Sequence, residues 1–123
     1  MGGTTGIGLS AAKAFIREGA KVIVVGRNKD SVAAAQSVLS AHAIALSGDA
    51  THPGTAMHAI QLCIEKFESF DGLYHVAGGS GRKMGDGPLH ELTIDGWNKT
   101  LELNLTSLML SNQAAVKKFI ENK

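Results

Sequence analysis

Three glycines at the start of the chain have the spacing of a phosphate-binding loop. Gly2, Gly6 and Gly8 form the pattern G-x-x-x-G-x-G, and a helix-forming segment follows at once. Because glycine has no Cβ, the backbone can turn tightly there and lie close to a phosphate. The free N–H groups and the positive dipole end of the following helix then attract the anion. Glycines also gather in ordinary turns, so the surrounding elements must support this interpretation.

The elements after the loop are those of an α/β fold. The apolar spacing predicts a helix from Leu9 to Gly19, and the uninterrupted apolar run from Lys21 to Val25 predicts a buried parallel strand. The order of loop, helix and strand is that of a dinucleotide-binding unit without its first strand, since only Met1 precedes the loop. We therefore predict one partial domain over residues 1–123, with an incomplete doubly wound parallel sheet.

The residues after this strand indicate which dinucleotide the unit binds. In such units the position just beyond the second strand contacts the adenosine ribose, and here the chain has Arg27 and Asn28. A guanidinium pairs with the 2′-phosphate of NADP, whereas an acidic residue would accept a hydrogen bond from the 2′-hydroxyl of NAD. Arg27 therefore favours NADP over NAD. The alternative is that Arg27 is a solvated residue at the end of a strand.

In the glycine loop, the following helix and strand, and Arg27, the chain resembles the N-terminal part of the short-chain dehydrogenase/reductase family. The family's glycine loop has this spacing, and its NADP-preferring members often carry an arginine after the second strand. The resemblance implies a Rossmann-type fold. It implies contacts with the cofactor pyrophosphate from Gly2, Thr4, Gly6, Ile7 and Gly8, and with the 2′-phosphate from Arg27 and Asn28.

A third strand that ends in an aspartate agrees with this resemblance. The segment from Ile44 to Asp49 is similar to the family's third strand, in which the aspartate side chain contacts the adenine amino group. The next backbone N–H, that of Ala50, would contact the adenine ring. The alternative for Asp49 is an ordinary turn cap before Thr51 and Pro53.

A fourth strand is predicted from Leu73 to Gly78, and it departs from the family pattern. The family usually has Asn-Asn-Ala-Gly at this place, whereas this chain has His75-Val76-Ala77-Gly78. Only Ala77 and Gly78 carry over, as the small residues that let the cofactor ribose approach.

A long amphipathic helix is predicted from about Thr93, as its N-cap, to the C-terminus. The predicted apolar stripe consists of Trp97, Leu101, Leu105, Leu108, Ala115 and Phe119. Asn104 interrupts this apolar neighbourhood. The resemblance implies that Asn104 helps to hold a water in the proton relay behind the catalytic lysine, which makes it the one catalytic candidate. The alternative is a partly buried helix asparagine that bonds to nearby backbone.

The catalytic residues that the family carries beyond this region do not occur in the sequence. A serine from the next strand and a Tyr-x-x-x-Lys motif would be needed, but Gly78 stands four residues after Tyr74, the only tyrosine, which lies in a predicted buried strand. The resemblance implies an NADP-dependent oxidoreductase that transfers hydride between nicotinamide and an alcohol or ketone. We interpret this chain as a fragment of such an enzyme and do not expect turnover from it alone.

Two alternatives stay open at this point. The chain can be a non-catalytic nucleotide-binding or regulatory module built on the same frame, or an inert fragment without a stable fold. The sequence does not identify the substrate, nor does it separate a truncated record from a genuine short form.

Composition argues against several other classes of protein. Lys and Arg total 12 against 11 Asp and Glu, for a net charge of +1, and no basic run suggests a nucleic-acid partner. No apolar stretch reaches transmembrane length, so we expect no membrane role and a cytoplasmic location. Cys63 is the single cysteine, and the five histidines show no metal-binding spacing. The resemblance implies a homo-oligomer for the complete protein, paired through the helix after Thr93.

Overall fold

The computed structural model describes residues 1–122, apart from the side chain of Ser40. The main elements alternate between helix and strand in the first half of the chain and are helical in the second. They are α1 (Gly6–Arg17), β1 (Val22–Gly26), α2 (Lys29–Leu39), β2 (Ala43–Ser47), α3 (Pro53–Phe67), α4 (Ile94–Leu101) and α5 (Ser107–Glu121). Short 3-10 turns occur at Ser40–His42 and Arg82–Met84, and one π-helical turn at Glu102–Thr106 joins α4 to α5.

The two strands form a parallel sheet, which confirms the predicted α/β class. Val22 lies opposite Ala43, and the register continues to Gly26 opposite Ser47. The connection between them is α2, as parallel strands require. The sheet is thus a partial Rossmann-type sheet whose two carboxyl ends lie side by side.

Helix α1 begins three residues before the predicted start at Leu9. The loop residues from Gly6 onward already form its first turn, so the glycine loop and the helix are one continuous structure. The helix ends at Arg17, and Gly19 follows with φ +89°, a conformation that cannot continue a right-handed helix.

The predicted fourth strand from Leu73 to Gly78 is wrong for the structure described here. Within residues 1–122, the backbone of this segment pairs with Met1 alone: the Met1 amine donates to the Tyr74 carbonyl at 2.8 Å, and the Val76 N–H donates to the Met1 carbonyl at 2.9 Å. One partner residue cannot build a ladder. Tyr74 is also not buried, being 49% exposed, with its ring edge-on to that of Phe15.

The core consists of small clusters on the two faces of the sheet. One joins α1, α2 and both strands through Ala12, Val24, Ala35, Leu39 and Ala43. Another joins α3 to α5 through Ile60, Phe70 and Ala115, with the Phe70 and Phe119 rings stacked at 5.1 Å. The first cluster holds α1 and α2 against the sheet, the second holds α5 against α3, and the carboxyl edge of the sheet stays open.

The predicted helix after Thr93 forms, and Thr93 is its N-cap. The Thr93 hydroxyl accepts a hydrogen bond from the Gly96 N–H at 3.0 Å. However, the π-helical turn over residues 102–106 adds a residue to the helical repeat and rotates α5 relative to α4. None of the helices within residues 1–122 has the length and apolar character needed to cross a lipid bilayer.

The predicted apolar stripe on this helix is only partly correct. Ala115 is buried and Phe119 is half-buried, but Trp97 and Leu105 are 51% and 59% exposed. The buried face of α5 begins instead with Ser107 and Ser111. Small side chains let this face pack closely against the rest of the chain, so burial here does not follow the large apolar residues.

Candidate functional site

A cleft of about 530 Å³ lies at the carboxyl ends of β1 and β2, in front of the glycine loop. All eleven residues that the sequence analysis assigned to pyrophosphate, ribose and adenine line it. They are Gly2, Thr4, Gly6, Ile7, Gly8, Arg27, Asn28, Asp49, Ala50, Ala77 and Gly78. Asn104 is not among the lining residues but bonds to Gly79 beside it. The structure thus brings residues from four separate segments of the chain to one place.

The glycine loop passes between β1 and the backbone of residues 76–77, where side chains do not fit. The Gly2 N–H donates to the Val25 carbonyl at 2.9 Å, and Gly2 has φ +75°. A Cβ on Gly2 would lie 2.6 Å from the Ala77 nitrogen, and a Cβ on Gly8 would overlap the Gly2 carbonyl oxygen. The loop therefore needs glycine at both positions for its shape, independently of any ligand.

The N-terminus of α1 opens into this cleft, and the side chain at its N-cap does not bond to the free N–H groups of the helix. Within residues 1–122, the Thr5 side chain at the N-cap accepts no hydrogen bond from the helix, and the first turn has no acidic residue. By contrast, the His52 Nδ1 accepts from the Gly54 N–H in α3, and Thr93 caps α4. The first-turn N–H groups of α1 are consequently available to an anion in the cleft.

The two threonines of the loop have different positions. Thr4 is 7% exposed and packs on Gly26 at the end of β1, where a Cβ would overlap its side chain. It thus anchors the loop to the strand. Thr5 is exposed and lines the cleft, and the sequence analysis missed it. A hydroxyl between the loop glycines was the signal that could have found it.

The residues after β1 contribute a positively charged side chain and the N-terminus of α2 to the same cleft. Arg27 is exposed there, and the Asn28 Oδ1 accepts from the Ser31 N–H at 2.8 Å, so that Asn28 caps α2. This bond uses the side-chain oxygen and leaves the Asn28 amide nitrogen as a donor. Ser31 also lines the cleft and was missed, and its hydroxyl four residues after Arg27 was the signal that could have found it.

Asp49, beyond β2, is both a turn cap and a cleft residue. Its Oδ1 accepts from the Thr51 N–H at 2.9 Å and the Thr51 hydroxyl at 2.8 Å. Partial burial raises the pKa of Asp49, but these hydrogen bonds and the positive charges of Arg27 and Lys99 outweigh it and hold the pKa below its ordinary value. The carboxylate is therefore ionised at neutral pH. Thr51, which also lines the cleft, was missed as a site residue.

Behind the opposite wall lies a histidine that the sequence analysis did not include among the site residues. The His75 Nδ1 lies 2.6 Å from the Ser111 hydroxyl, and the His75 Nε2 lies 2.9 Å from the Ala77 carbonyl oxygen. Ser111 is fully buried, and Ser107, which lines the cleft, is 1% exposed. Burial lowers the pKa of His75, so the ring is neutral at pH 7. Ser107 and Ser111, four residues apart on one face of α5, were the sequence signal that could have identified this cluster of polar side chains.

Asn104 lies in the π-helical turn and holds the glycine-rich segment after Gly78. Its Oδ1 accepts from the Gly79 N–H at 3.2 Å, and its Nδ2 donates to the Gly79 carbonyl at 2.5 Å and to the Thr100 carbonyl at 2.8 Å. These are the backbone contacts of the structural alternative, made by an exposed side chain. A role of Asn104 in a proton relay stays a prediction.

Comparison with known proteins decides which family this cleft belongs to. A family model described as short chain dehydrogenase matches residues 1–123, the whole chain. The chain belongs to the short-chain dehydrogenase/reductase family. It is 30% identical over 124 residues to 2,5-dichloro-2,5-cyclohexadiene-1,4-diol dehydrogenase LinX from two strains of Sphingobium indicum, with 98% of this chain and 48% of the relative covered.

A solved structure agrees with this family membership. The crystal structure of a short chain dehydrogenase from Bacillus anthracis matches with a TM-score of 0.87 and 27% identity, over 98% of this chain and 50% of that one. The chain thus spans about half the length of the relatives it matches. Residues 1–122 contain no group of three or more His, Cys, Asp or Glu side chains placed to hold a metal ion.

Proposed function

We propose that this chain forms the dinucleotide-binding part of an NADP-preferring oxidoreductase that transfers hydride between nicotinamide and an alcohol or ketone. The observation that carries the proposal is the single cleft, in which a glycine cradle and an uncapped helix N-terminus lie beside Arg27 and Asp49. Bound NADP would supply the hydride chemistry. This chain's residues bind and orient the cofactor.

The pyrophosphate side of the proposal rests on the loop and α1. Gly2 and Gly8 set the shape of the loop through close backbone contacts, and the N–H groups in the first turn of α1, to which the N-cap side chain does not bond, can bind a phosphate. Gly6 and Thr5 lie in the same stretch. Ile7, in the first turn of α1, is 72% exposed and offers apolar surface at the mouth of the cleft.

The preference for NADP rests on Arg27 and on the N-terminus of α2. A guanidinium and an amide donor from Asn28 would both meet a 2′-phosphate, which carries more negative charge than the 2′-hydroxyl of NAD. Asp49 and the backbone N–H of Ala50 lie at the end of the adjacent strand, where they would contact adenine. Ala77 and Gly78 would face a cofactor ribose from the other wall.

The reacting half of the complete enzyme would involve Asn104 and residues that the sequence does not contain. Asn104 would hold a water for proton transfer, and this chain alone would bind cofactor without turnover. A cytoplasmic location and a homo-oligomeric complete enzyme belong to the proposal, supported by the single free cysteine, Cys63, and by exposed apolar side chains on α4 and α5 such as Trp97 and Met109.

Amide chemical shifts measured during a titration with NADPH test where the cofactor binds. We expect the largest shifts at Gly6, Gly8, Arg27 and Asp49, with little change at Gln61 on the distant exposed face of α3. The absence of shifts in a folded chain, or shifts confined to residues outside the cleft, would contradict the proposal.

A further inference from the structure

His75 connects the wall of the cleft to helix α5 through a short chain of hydrogen bonds. Its ring bonds to the hydroxyl of Ser111 at one nitrogen and to the carbonyl of Ala77 at the other, at 2.6 and 2.9 Å. The ring can therefore span from the helix to the cleft wall.

The partners determine which ring nitrogen carries the proton. The Ala77 carbonyl can only accept a hydrogen bond, so the His75 Nε2 must be the protonated nitrogen. In the neutral ring Nδ1 then accepts, and the Ser111 hydroxyl donates to it. Ser107, whose hydroxyl lies 3.4 Å from Nε2, donates its own hydrogen to the Leu103 carbonyl at 2.7 Å and can only accept from the ring. The Ser111 hydroxyl also lies 3.2 Å from the Ser107 carbonyl and 3.1 Å from the Leu108 carbonyl, but Nδ1 is its shortest contact and accepts its single hydrogen in the Nε2–H tautomer.

The position of Ala77 makes this contact relevant to the ligand. A Cβ on Gly2 would lie only 2.6 Å from the Ala77 nitrogen. The Ala77 backbone and the glycine loop are therefore in direct contact. Arg27 and Asp49 occupy the β1–β2 side of the cleft, and Ala77 and Gly78 occupy the other side. A dinucleotide bound across such a crevice places its two halves on the two sides.

We propose that His75 is a positioning residue that fixes the Ala77 carbonyl, and with it the Ala77–Gly78 wall, for the nicotinamide half of the dinucleotide. The inference rests on the proposed cofactor function. Ser111 holds the ring, and the ring holds the carbonyl. Removal of the Nε2 contact lets the wall shift by rotation of the peptide, while the adenosine half of the cleft keeps its own contacts.

A pair of amide substitutions separates positioning from simple stabilisation. Gln at position 75 can place an amide N–H near the site of Nε2 and keep the Ala77 contact, whereas Asn can place its oxygen near the site of Nδ1 and keep only the Ser111 contact. The probes are NADPH and adenosine 2′,5′-bisphosphate, which is the adenosine half of NADPH. Dissociation constants are measured by calorimetry for the full chain and for the H75Q and H75N variants.

We expect H75N to weaken NADPH binding about tenfold, as loss of one ordered hydrogen bond at the wall does, with adenosine 2′,5′-bisphosphate binding unchanged within about twofold. H75Q should keep NADPH binding within about threefold of the unmodified chain. Equal losses of both ligands in H75N, or a larger NADPH loss in H75Q than in H75N, would overturn the inference. Binding of neither ligand by the unmodified chain would overturn the proposed function itself, and this inference with it.

A second measurement does not depend on the variants folding. Long-range ¹H–¹⁵N spectra of the unmodified chain report the His75 tautomer directly. The inference requires a neutral ring protonated at Nε2 near pH 7. A ring protonated at Nδ1 could not donate to the Ala77 carbonyl from Nε2, and this result would overturn the inference.

Discussion

The two walls of the cleft are held in place by different interactions. On the β1–β2 side, a parallel ladder and close contacts of the glycines set the geometry: Gly8 lies against the Gly2 backbone, and Gly26 lies against the Thr4 side chain. On the other side, backbone pairing within residues 1–122 is limited to Met1, and the side chains of His75 and Asn104 hold the backbone of residues 75–79. Apart from the contact of Ala77 with Gly2, the first wall is therefore fixed by sterics and the second by individual hydrogen bonds.

This difference determines how each wall responds to change. A steric contact between backbone atoms cannot be relieved by a rotamer change, so a single methyl group can move the loop. Each side-chain hydrogen bond on the other wall contributes only about 0.5–1.5 kcal/mol and can be removed separately. We expect the largest effects on ligand binding from the glycine wall and smaller, graded effects from the wall that contains His75 and Asn104.

The largest expected effect is that of Gly8→Ala. The added Cβ overlaps the Gly2 carbonyl and displaces the loop, so two or more phosphate hydrogen bonds are lost, and NADPH binding falls by about 100-fold. Gly72→Ala is the matched control, because a Cβ there meets nothing within 4 Å. Calorimetry measures both, with circular dichroism to verify the fold. Similar NADPH affinity in the two folded variants would contradict the steric account.

Arg27→Ala should have the next largest effect, and on one cofactor only. Loss of the guanidinium removes a charged contact with the 2′-phosphate, so NADPH binding weakens about tenfold while NADH binding changes little. Arg17→Ala, in the last turn of α1 and outside the cleft lining, is the control. Equal losses for both cofactors in Arg27→Ala would show that the arginine does not read the 2′-phosphate.

Asn104→Ala tests the wall held by hydrogen bonds. It removes both contacts with Gly79 and the one with Thr100, and we expect a loss of about 1–2 kcal/mol in the free energy of unfolding. Asn112→Ala removes a single exposed bond to the Leu108 carbonyl and should cost less than about 0.5 kcal/mol. Urea unfolding compares the two variants. An equal loss in the free energy of unfolding for the two variants would contradict a special role of Asn104 in holding this wall in place.

The smallest expected effect is a pH dependence from His75. Because burial lowers the folded-state pKa of His75, the unfolded chain binds the proton more tightly, and stability falls as pH drops below the unfolded value of 6.5. Burial also lowers the pKa of the Met1 amine from 8.0, which changes stability in the same direction, but this contribution is the same in the unmodified chain and in the H75Q variant. Urea unfolding at about pH 7.5 and pH 5.5 should therefore show a smaller decrease in H75Q than in the unmodified chain. A difference of the opposite sign would contradict a buried neutral ring.

The contrast between the walls also explains which features could be predicted from the sequence. The glycine spacing, the apolar run of β1 and the resemblance of β2 to the family's third strand predicted the parallel sheet, because each of these signals is local in the sequence. The fourth strand was wrong because its one partner here is Met1, which no pattern within Leu73–Gly78 could show. The His75 contacts with Ser111 depend on tertiary packing of residues 36 positions apart.

The apolar stripe predicted on the helix after Thr93 shows the same limit of prediction from sequence. The periodicity of the large apolar residues predicted that Trp97 and Leu105 are buried, but both are more than half exposed, and Ser107 and Ser111 are buried instead. The spacing of large apolar residues does not show where small polar residues form the closest contact between elements. Thr93, in contrast, was predicted as an N-cap because capping depends on a local side chain and its neighbouring N–H groups.

A calorimetric titration of the unmodified chain with NADPH and with NADH, under identical buffer conditions, tests the central claim most directly. The account predicts a single site per chain and a dissociation constant for NADPH at least about tenfold below that for NADH. A folded chain that binds neither dinucleotide, or that binds NADH as tightly as NADPH, would contradict it.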